Sequence, residues 1–121
     1  MANPSTDGPT SANGTEILRR FHGNVTSAAD VKIIDGTAGY IYIVLSVIVC
    51  ETAGNDETFD LYVNADAATE VFLLDDQVLS ARQTFVFSDR IVVAGTDELT
   101  IHAGGTANID VLCSYIEQRW V

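Results

Sequence analysis

The chain has 121 residues, with 17 Asp and Glu against 6 Lys and Arg, and its formal net charge is −11. This length is typical of one domain with its own core, and the acidic balance excludes the clustered basic surface that nucleic-acid binding requires. Hydrophobic residues form 47% of the chain, an excess that indicates a surface for a partner.

Residues 1–14, with the sequence MANPSTDGPTSANG, contain both prolines of the chain, Pro4 and Pro9, among small polar residues. Such a segment has too little apolar surface to offset the entropy lost on ordering. We therefore predict an extended N-terminal arm that is held by a neighbouring subunit, followed by a β-sandwich domain over residues 15–121. The segment also lacks the basic start and apolar core of a signal peptide, so we expect synthesis in the cytoplasm without export.

From Glu16 onward, short apolar runs alternate with clusters of turn residues at a spacing of roughly ten residues. The predicted strands cover residues 16–21, 31–34, 40–50, 58–64, 70–74, 84–87 continuing toward 92, 98–103 and 108–117. This pattern predicts an all-β fold of about eight antiparallel strands in a jelly-roll-like sandwich. It also predicts a turn at residues 22–24, and residues 75–81 could form one helical turn.

The run from Tyr40 to Cys50 holds no charged residue and only one polar residue, Ser46. It is too short to cross a membrane as a helix, which needs about 20 apolar residues. Its β-branched and aromatic residues favour a strand instead. We therefore expect a buried strand here and no contact with a membrane.

Strict alternation would give this strand two apolar sides. One side would carry Ile41, Ile43, Leu45, Val47 and Val49, and the other Tyr40, Tyr42, Val44, Ile48 and Cys50. A sandwich covers only the inner side of each sheet, so we expect the N-terminal arm or another copy of the protein to cover the other side. Trp120 is expected to pack either on the domain or on a neighbour. The predicted interface residues are Pro4, Pro9, Tyr40, Tyr42, Val44, Ile48 and Trp120.

Residues with catalytic chemistry are sparse. His22 and His102 are far apart in the sequence, and neither belongs to a motif for a nucleophile, a metal or a phosphate. Cys50 and Cys113 have no CxxC spacing, and in a reducing compartment we interpret both as small core residues. We therefore predict no enzyme activity, no catalytic residue, no metal and no cofactor.

Acidic residues leave one alternative open. The stretch NDETFD, from Asn55 to Asp60, and the pair Asp75 and Asp76 offer oxygen ligands for calcium. The spacing of an EF-hand loop is absent, so we prefer a solvated acidic surface. A calcium- or carbohydrate-binding module remains the alternative function from a different class.

Two longer stretches carry a resemblance to a known group. The first, IYIVLSVIVCETAGNDETFDLYVNAD, joins two strands through a small polar turn and ends in a short acidic loop. The second, EVFLLDDQVLSARQTFVFSDRIVVAGTDELTIHAGGTANIDVLCSYIE, places an LLD step before a TFVF strand and an IVVAGTDELTIHA hairpin. In this order of motifs, the chain resembles the small β-sandwich virion proteins of tailed bacteriophages.

The resemblance implies a structural part of a virus particle. The first expectation is a capsid decoration (cement) protein that is assembled in the host cytoplasm, lies on the outer capsid surface and contacts the major capsid protein. Proteins of this group often form trimers or larger rings, so we expect a homo-oligomer, with a homotrimer as its form. A tail, fibre or head-tail connector component is the alternative within the virion. An acidic chain suits the outside of a shell better than a surface that faces DNA.

Overall fold

The structure is a computed structural model that describes residues 15–120. The strands are β1 (Thr15–Val25), β2 (Asp30–Asp35), β3 (Tyr40–Glu51), β4 (Glu57–Ala65), β5 (Thr69–Leu79), β6 (Thr84–Phe87), β7 (Ile91–Ala94), β8 (Glu98–Ala103) and β9 (Ile109–Arg119). Within this range there is no helix that could span a membrane. The predicted arm over residues 1–14, with Pro4 and Pro9, lies outside the described residues, and the division at residue 15 stays a prediction.

The strands form two antiparallel sheets. Sheet I has the order β1-β9-β3, with β6 and β7 both paired to the far side of β3, and sheet II has the order β2-β8-β4-β5. This arrangement is a jelly roll, because the chain passes repeatedly from one sheet to the other. It confirms the predicted all-β sandwich. The predicted strand from residue 84 toward 92 is interrupted at residues 88–90, which gives nine strands between residues 15 and 120.

The core lies between the inner sides of the two sheets. Its buried side chains include Val44, Val47, Val49, Val93, Ile109 and Cys113 from sheet I, and Ile34, Phe59, Leu61, Leu99 and Ile101 from sheet II. Each fully buried aliphatic or aromatic side chain contributes about 1.5–3 kcal/mol to folding. Burial also raises the pKa of the Cys113 thiol to about 12, which keeps it protonated and unreactive.

A β-bulge in the middle of β3 changes which residues face the core. Val44 pairs with Tyr115 and Ser46 with Ser114, so Leu45 is an extra residue that has no partner on β9. Strict alternation therefore fails, because one inserted residue reverses the phase of the strand. Before the bulge the inward residues are Tyr42 and Val44, and after it they are Val47, Val49 and Glu51. The predicted grouping of Tyr40, Tyr42, Val44, Ile48 and Cys50 on one side is wrong for this reason.

Three local predictions also differ from the structure. Residues 22–24, predicted as a turn, continue β1, because they pair in register with β9. Residues 75–79, predicted as part of a possible helical turn, continue β5 beside β4. Cys50, predicted in the core, is half-buried on the outer side of sheet I, opposite Asp110. In the first two cases pairing with a neighbouring strand overrides the local sequence preference, and in the case of Cys50 the β3 bulge reverses the side on which the residue lies.

Candidate interaction face on sheet I

The outer side of sheet I carries a row of aliphatic side chains that crosses four strands. Leu18 of β1 pairs with Ile116 of β9, which pairs with Ile43 of β3, which pairs with Val92 of β7. Directly opposed residues in antiparallel strands have neighbouring side chains on the same side of the sheet. The four residues therefore form one continuous apolar stripe.

A second apolar row runs parallel to the first. Leu112 of β9 pairs with Ile48 of β3, which pairs with Val86 of β6, and His22 of β1 lies at the end of this row. Between the two stripes lies a row of small polar residues, Ser114 and Ser46. Arg20 of β1 pairs with Ser114 and completes this middle row. The apolar face is defined here as Leu18, Ile43, Ile48, Val86, Val92, Leu112 and Ile116.

Much of this apolar face is open to solvent. Val92 is 62% exposed, Leu18 56% and Val86 53%, while Ile43 and Ile48 are half-buried. Single exposed aliphatic residues are normal on protein surfaces, but a contiguous set of them marks a site of contact. The apolar face is therefore the first candidate for a functional surface.

Trp120 extends the apolar face at the end where β3 begins. Its backbone N–H donates to Gly39 O over 2.9 Å, and its indole N–H donates to Gln118 Oε1 over 3.4 Å. Gln118 pairs with Ile41 on the outer side of sheet I. The Trp120 side chain remains 50% exposed, so these contacts hold the ring at the surface without covering it.

The other predicted interface residues of β3 lie in different places. Tyr42 and Val44 belong to the core, where they are 4% and 0% exposed, and therefore offer no surface to a partner. Tyr40 lies at one end of the sandwich, where its ring stacks on Tyr42 at 6.1 Å and the Arg119 guanidinium lies 5.3 Å from its centre. Among the predicted interface residues within the described range 15–120, Ile48 and Trp120 lie on or beside the apolar face.

The outer side of sheet II has the opposite character. We define it as the charged face, which carries Asp30, Lys32, Asp60, Glu70, Glu98 and His102. Lys32 Nζ lies 2.8 Å from Glu98 Oε2, and His102 Nδ1 lies 2.7 Å from Asp30 Oδ1. The hydrogen bond from Lys32 lowers the pKa of Glu98, and the same bond raises the pKa of Lys32. Charges on this face are thus satisfied within the chain and by solvent.

Tyr62 is the aromatic residue at the middle of the charged face. The Phe72 ring stacks on it with 5.1 Å between centroids, and Tyr62 is only 5% exposed. Burial and the neighbouring Asp30 carboxylate raise the pKa of Tyr62 to about 12. The phenol is therefore neutral at physiological pH and acts as a hydrogen-bond donor.

The residues considered for calcium are partly brought together. Carboxylate oxygens of Asp60, Asp75 and Asp76 lie within 4.8 Å of one another. One of them, Asp60 Oδ1, accepts the backbone N–H of Asp76 over 2.7 Å. Asp75 and Asp76 are exposed, and close carboxylates on a surface are common without a cation. The interpretation as a solvated acidic surface is retained.

Glu51 organises two loops, a role that the sequence analysis missed. Its side chain is 1% exposed, and Oε1 accepts backbone N–H groups from Gly54 over 2.7 Å and Arg82 over 3.0 Å. Oε2 accepts the N–H of Ala53, and Oε1 also accepts that of Asn55. Burial acts to raise the pKa of Glu51, but these hydrogen bonds outweigh it and hold the pKa below its ordinary value. The available signal was an acidic residue at the end of an apolar strand, before a Gly-containing loop.

The two histidines lie on opposite outer surfaces. His22 belongs to the edge strand of sheet I, and His102 belongs to the charged face of sheet II. They therefore cannot act on one bound molecule together. His102 is engaged by Asp30 in the close contact described above.

Comparison with known proteins gives a likeness in fold. No family model matches the chain, and no curated protein matches it in sequence. A structure of the disulfide-linked pili formed by Bacillus endospore appendages is 17% identical and superposes with a TM-score of 0.58 over 89% of this chain and 91% of that chain. A likeness at this identity shows a shared fold and nothing further.

Two other structures have lower TM-scores. A pentameric capsid protein from metagenomic phage sequences is 17% identical, with a TM-score of 0.42 over 83% of this chain and 60% of that chain. The Eiger TNF of S. frugiperda is 12% identical, with a TM-score of 0.46 over 88% and 92% of the two chains.

Proposed function

We propose that this chain is a non-enzymatic structural protein of a virus particle, namely a capsid decoration (cement) protein of a tailed bacteriophage. The observation that carries the proposal is the apolar face, two aliphatic stripes on the outer side of sheet I. Aliphatic surface of this extent is stabilised when another protein surface removes it from water. A protein whose work is to pack against other subunits has this property.

The difference between the two outer faces would determine how such a protein is oriented on the shell. The apolar face would lie within the assembly, and the charged face would point to solvent. A net charge of −11 keeps an assembled surface soluble and is unsuited to contact with DNA. This polarity supports a location on the outer capsid surface.

Attachment to the major capsid protein would combine two contacts. The sequence of residues 1–14, with Pro4 and Pro9, suits an extended arm that lies along a neighbouring subunit. Burial of apolar area contributes about 25 cal/mol per Å² before the costs of association. Many copies acting together would then reinforce the shell against internal pressure. The proposal includes self-association of the chain through contacts between copies.

The proposal is tested on particles of the virus that encodes the chain. Quantitative mass spectrometry of purified particles should give a copy number that scales with the number of capsid subunits. A copy number of only a few per particle would indicate the tail, fibre or connector alternative. Absence of the chain from the particles would overturn a virion function.

A truncated chain tests the arm separately. Deletion of residues 2–14 should lower occupancy on shells that lack the endogenous protein, while the thermal midpoint Tm of the purified domain stays unchanged. Full occupancy by the truncated chain would show that the arm is not the anchor. The full-length protein at the same concentration is the control.

A further inference from the structure

We infer that the apolar face is covered by a second copy of this chain, with the two copies of sheet I packed face to face. The inference deepens the proposed function and rests on it for the biological setting, because it names the partner of the apolar face. Packed sheets in sandwiches lie about 10 Å apart, with their strands within about 30° of each other. The same geometry is available here between two molecules.

The order of rows on sheet I supports a symmetric contact. Along β9, in the middle of this face, the outer side reads polar, apolar, small polar, apolar and polar, with Gln118 and Asp110 at the two ends and Ser114 in the middle. This order is the same in both directions. A two-fold axis in the plane of the contact therefore places apolar stripes on apolar stripes, as an isologous interface requires.

The available area is sufficient for a dimer. Four strands spaced about 4.8 Å apart, over eight residues of about 3.4 Å each, give the outer side of sheet I, with both apolar stripes and the polar rows beside them, an area of about 500 Å² per copy. Two such faces bury about 1,000 Å², which is the lower bound for a specific protein interface. The contact is therefore expected to be of moderate affinity, with a dissociation constant in about the micromolar range.

Charge also favours a second copy. The outer side of sheet I carries few charges, chiefly Glu16, Arg20 and Asp110, although the whole chain has a net charge of −11. Two acidic molecules can therefore approach through this side with little repulsion, whereas approach through the charged face brings like charges together.

The chain preceding β1 is a poor match for the apolar face. Residues 1–14 consist mostly of Ser, Thr, Asn, Gly, Ala and Pro, with a single larger apolar residue, Met1. They hold too few apolar side chains to fill two aliphatic stripes. A second copy supplies a matching surface of equal size.

A matched pair of substitutions tests the inference in the full 121-residue chain. Val92→Lys places a charge in the first apolar stripe, and Val78→Lys places the same charge on β5 of sheet II. The two valines are 62% and 59% exposed, so neither substitution disturbs the core. Sedimentation velocity from low micromolar to near-millimolar concentration measures self-association, and circular dichroism checks that both variants are folded.

We expect the wild type to self-associate, Val92→Lys to raise the dissociation constant at least about tenfold, and Val78→Lys to change it less than about twofold. A wild type that remains monomeric throughout would overturn the inference. Equal effects of the two substitutions would also overturn it, because association would then use another surface. A protein that is monomeric but still occupies virus particles would overturn this inference and leave the proposed function intact. A protein that dimerises but is absent from particles would overturn the proposed function and leave this inference intact.

Discussion

The two outer faces of this sandwich are built on similar backbones and carry opposite chemistry. On sheet I the outward positions hold aliphatic residues such as Ile43, Ile48 and Val92, with two serines between the stripes. On sheet II they hold charged residues, and Lys32 with Glu98 forms a close ion pair. The inner sides of both sheets are mainly apolar because they share one core. The difference teaches that the need for a common core determines which residues occupy the inner sides of the sheets. The residues of the outer sides depend instead on the surroundings of each face.

The largest expected effect on thermal stability comes from a substitution that lies outside both faces. The smaller effects below can be compared with it. Glu51→Gln removes the charge that binds four backbone N–H groups in two loops and places an amide donor against those donors. We expect Tm at pH 7 to fall by about 5 °C or more. Glu70→Gln, an exposed residue of β5, is the control and should change Tm little.

The pH dependence of the same variant gives a second readout. Because the pKa of Glu51 is lowered from its ordinary value of 4.5, its contribution is complete above pH 4.5 and is lost as the pH falls below that value. Thermal unfolding between pH 3 and pH 7 should therefore show a smaller acid-induced loss for Glu51→Gln than for the wild type. Equal losses would contradict the assigned role. Self-association of the folded variant at 25 °C should match that of the wild type, because neither outer face is altered.

A substitution of Tyr62 tests whether the centre of the charged face is shielded from solvent. Its pKa is raised to about 12 from an ordinary value of 10.0, so its contribution to stability is complete below pH 10 and is lost as the pH rises through 12. Tyr62→Phe should therefore lose less stability between pH 8 and pH 11 than the wild type does. Urea unfolding at the two pH values measures this difference, and the result at pH 8 is the control. An identical alkaline loss in both proteins would show that the Tyr62 phenol is solvated.

The ion pair on the charged face gives the smallest expected effect. Lys32 is about half exposed, so solvent screens its attraction to Glu98. Lys32→Met should lower Tm by only about 1–2 °C at low salt, and by less in 1 M NaCl. In a Glu98→Gln background the same substitution should have no further effect. A large loss that is independent of salt would mean that Lys32 acts through packing of its aliphatic stem.

The pH range in which the Lys32–Glu98 ion pair stabilises the fold follows from the two pKa shifts. The lowered pKa of Glu98 gives a contribution that is lost below pH 4.5, and the raised pKa of Lys32 gives one that is lost above pH 10.5. The effect of Lys32→Met is therefore expected to be constant between these values.

The strands could be predicted from the sequence because each carries a period of two or a continuous apolar run bounded by turn residues. Leu99 and Ile101 of β8, for example, alternate with Thr100 and His102, and both aliphatic residues are fully buried. The β3 bulge could not be predicted by alternation. Ser46 was the one available signal, because strict alternation would have placed this polar residue beside Tyr42 and Val44.

The apolar face could be predicted only in part. The sequence indicated that β3 has too much apolar surface for one sandwich, but the stripes depend on the register among β1, β9, β3, β6 and β7. That register joins Leu18 to Ile116, which are far apart in the chain. Glu51 was missed for a similar reason, since one of its partners, Arg82, comes from a distant loop.

The extra residue Leu45 gives β3 one position at which the strand tolerates a loss of length. Deletion of Leu45 would join Val44, which pairs with Tyr115, directly to Ser46, which pairs with Ser114, so that all later residues keep their partners and their sides of the sheet. Deletion of Val47 instead would turn Ile48 and Cys50 inward and Val49 out to solvent, because the strand has a period of two. The same loss of one amino acid would thus be harmless at the bulge and disruptive two residues later.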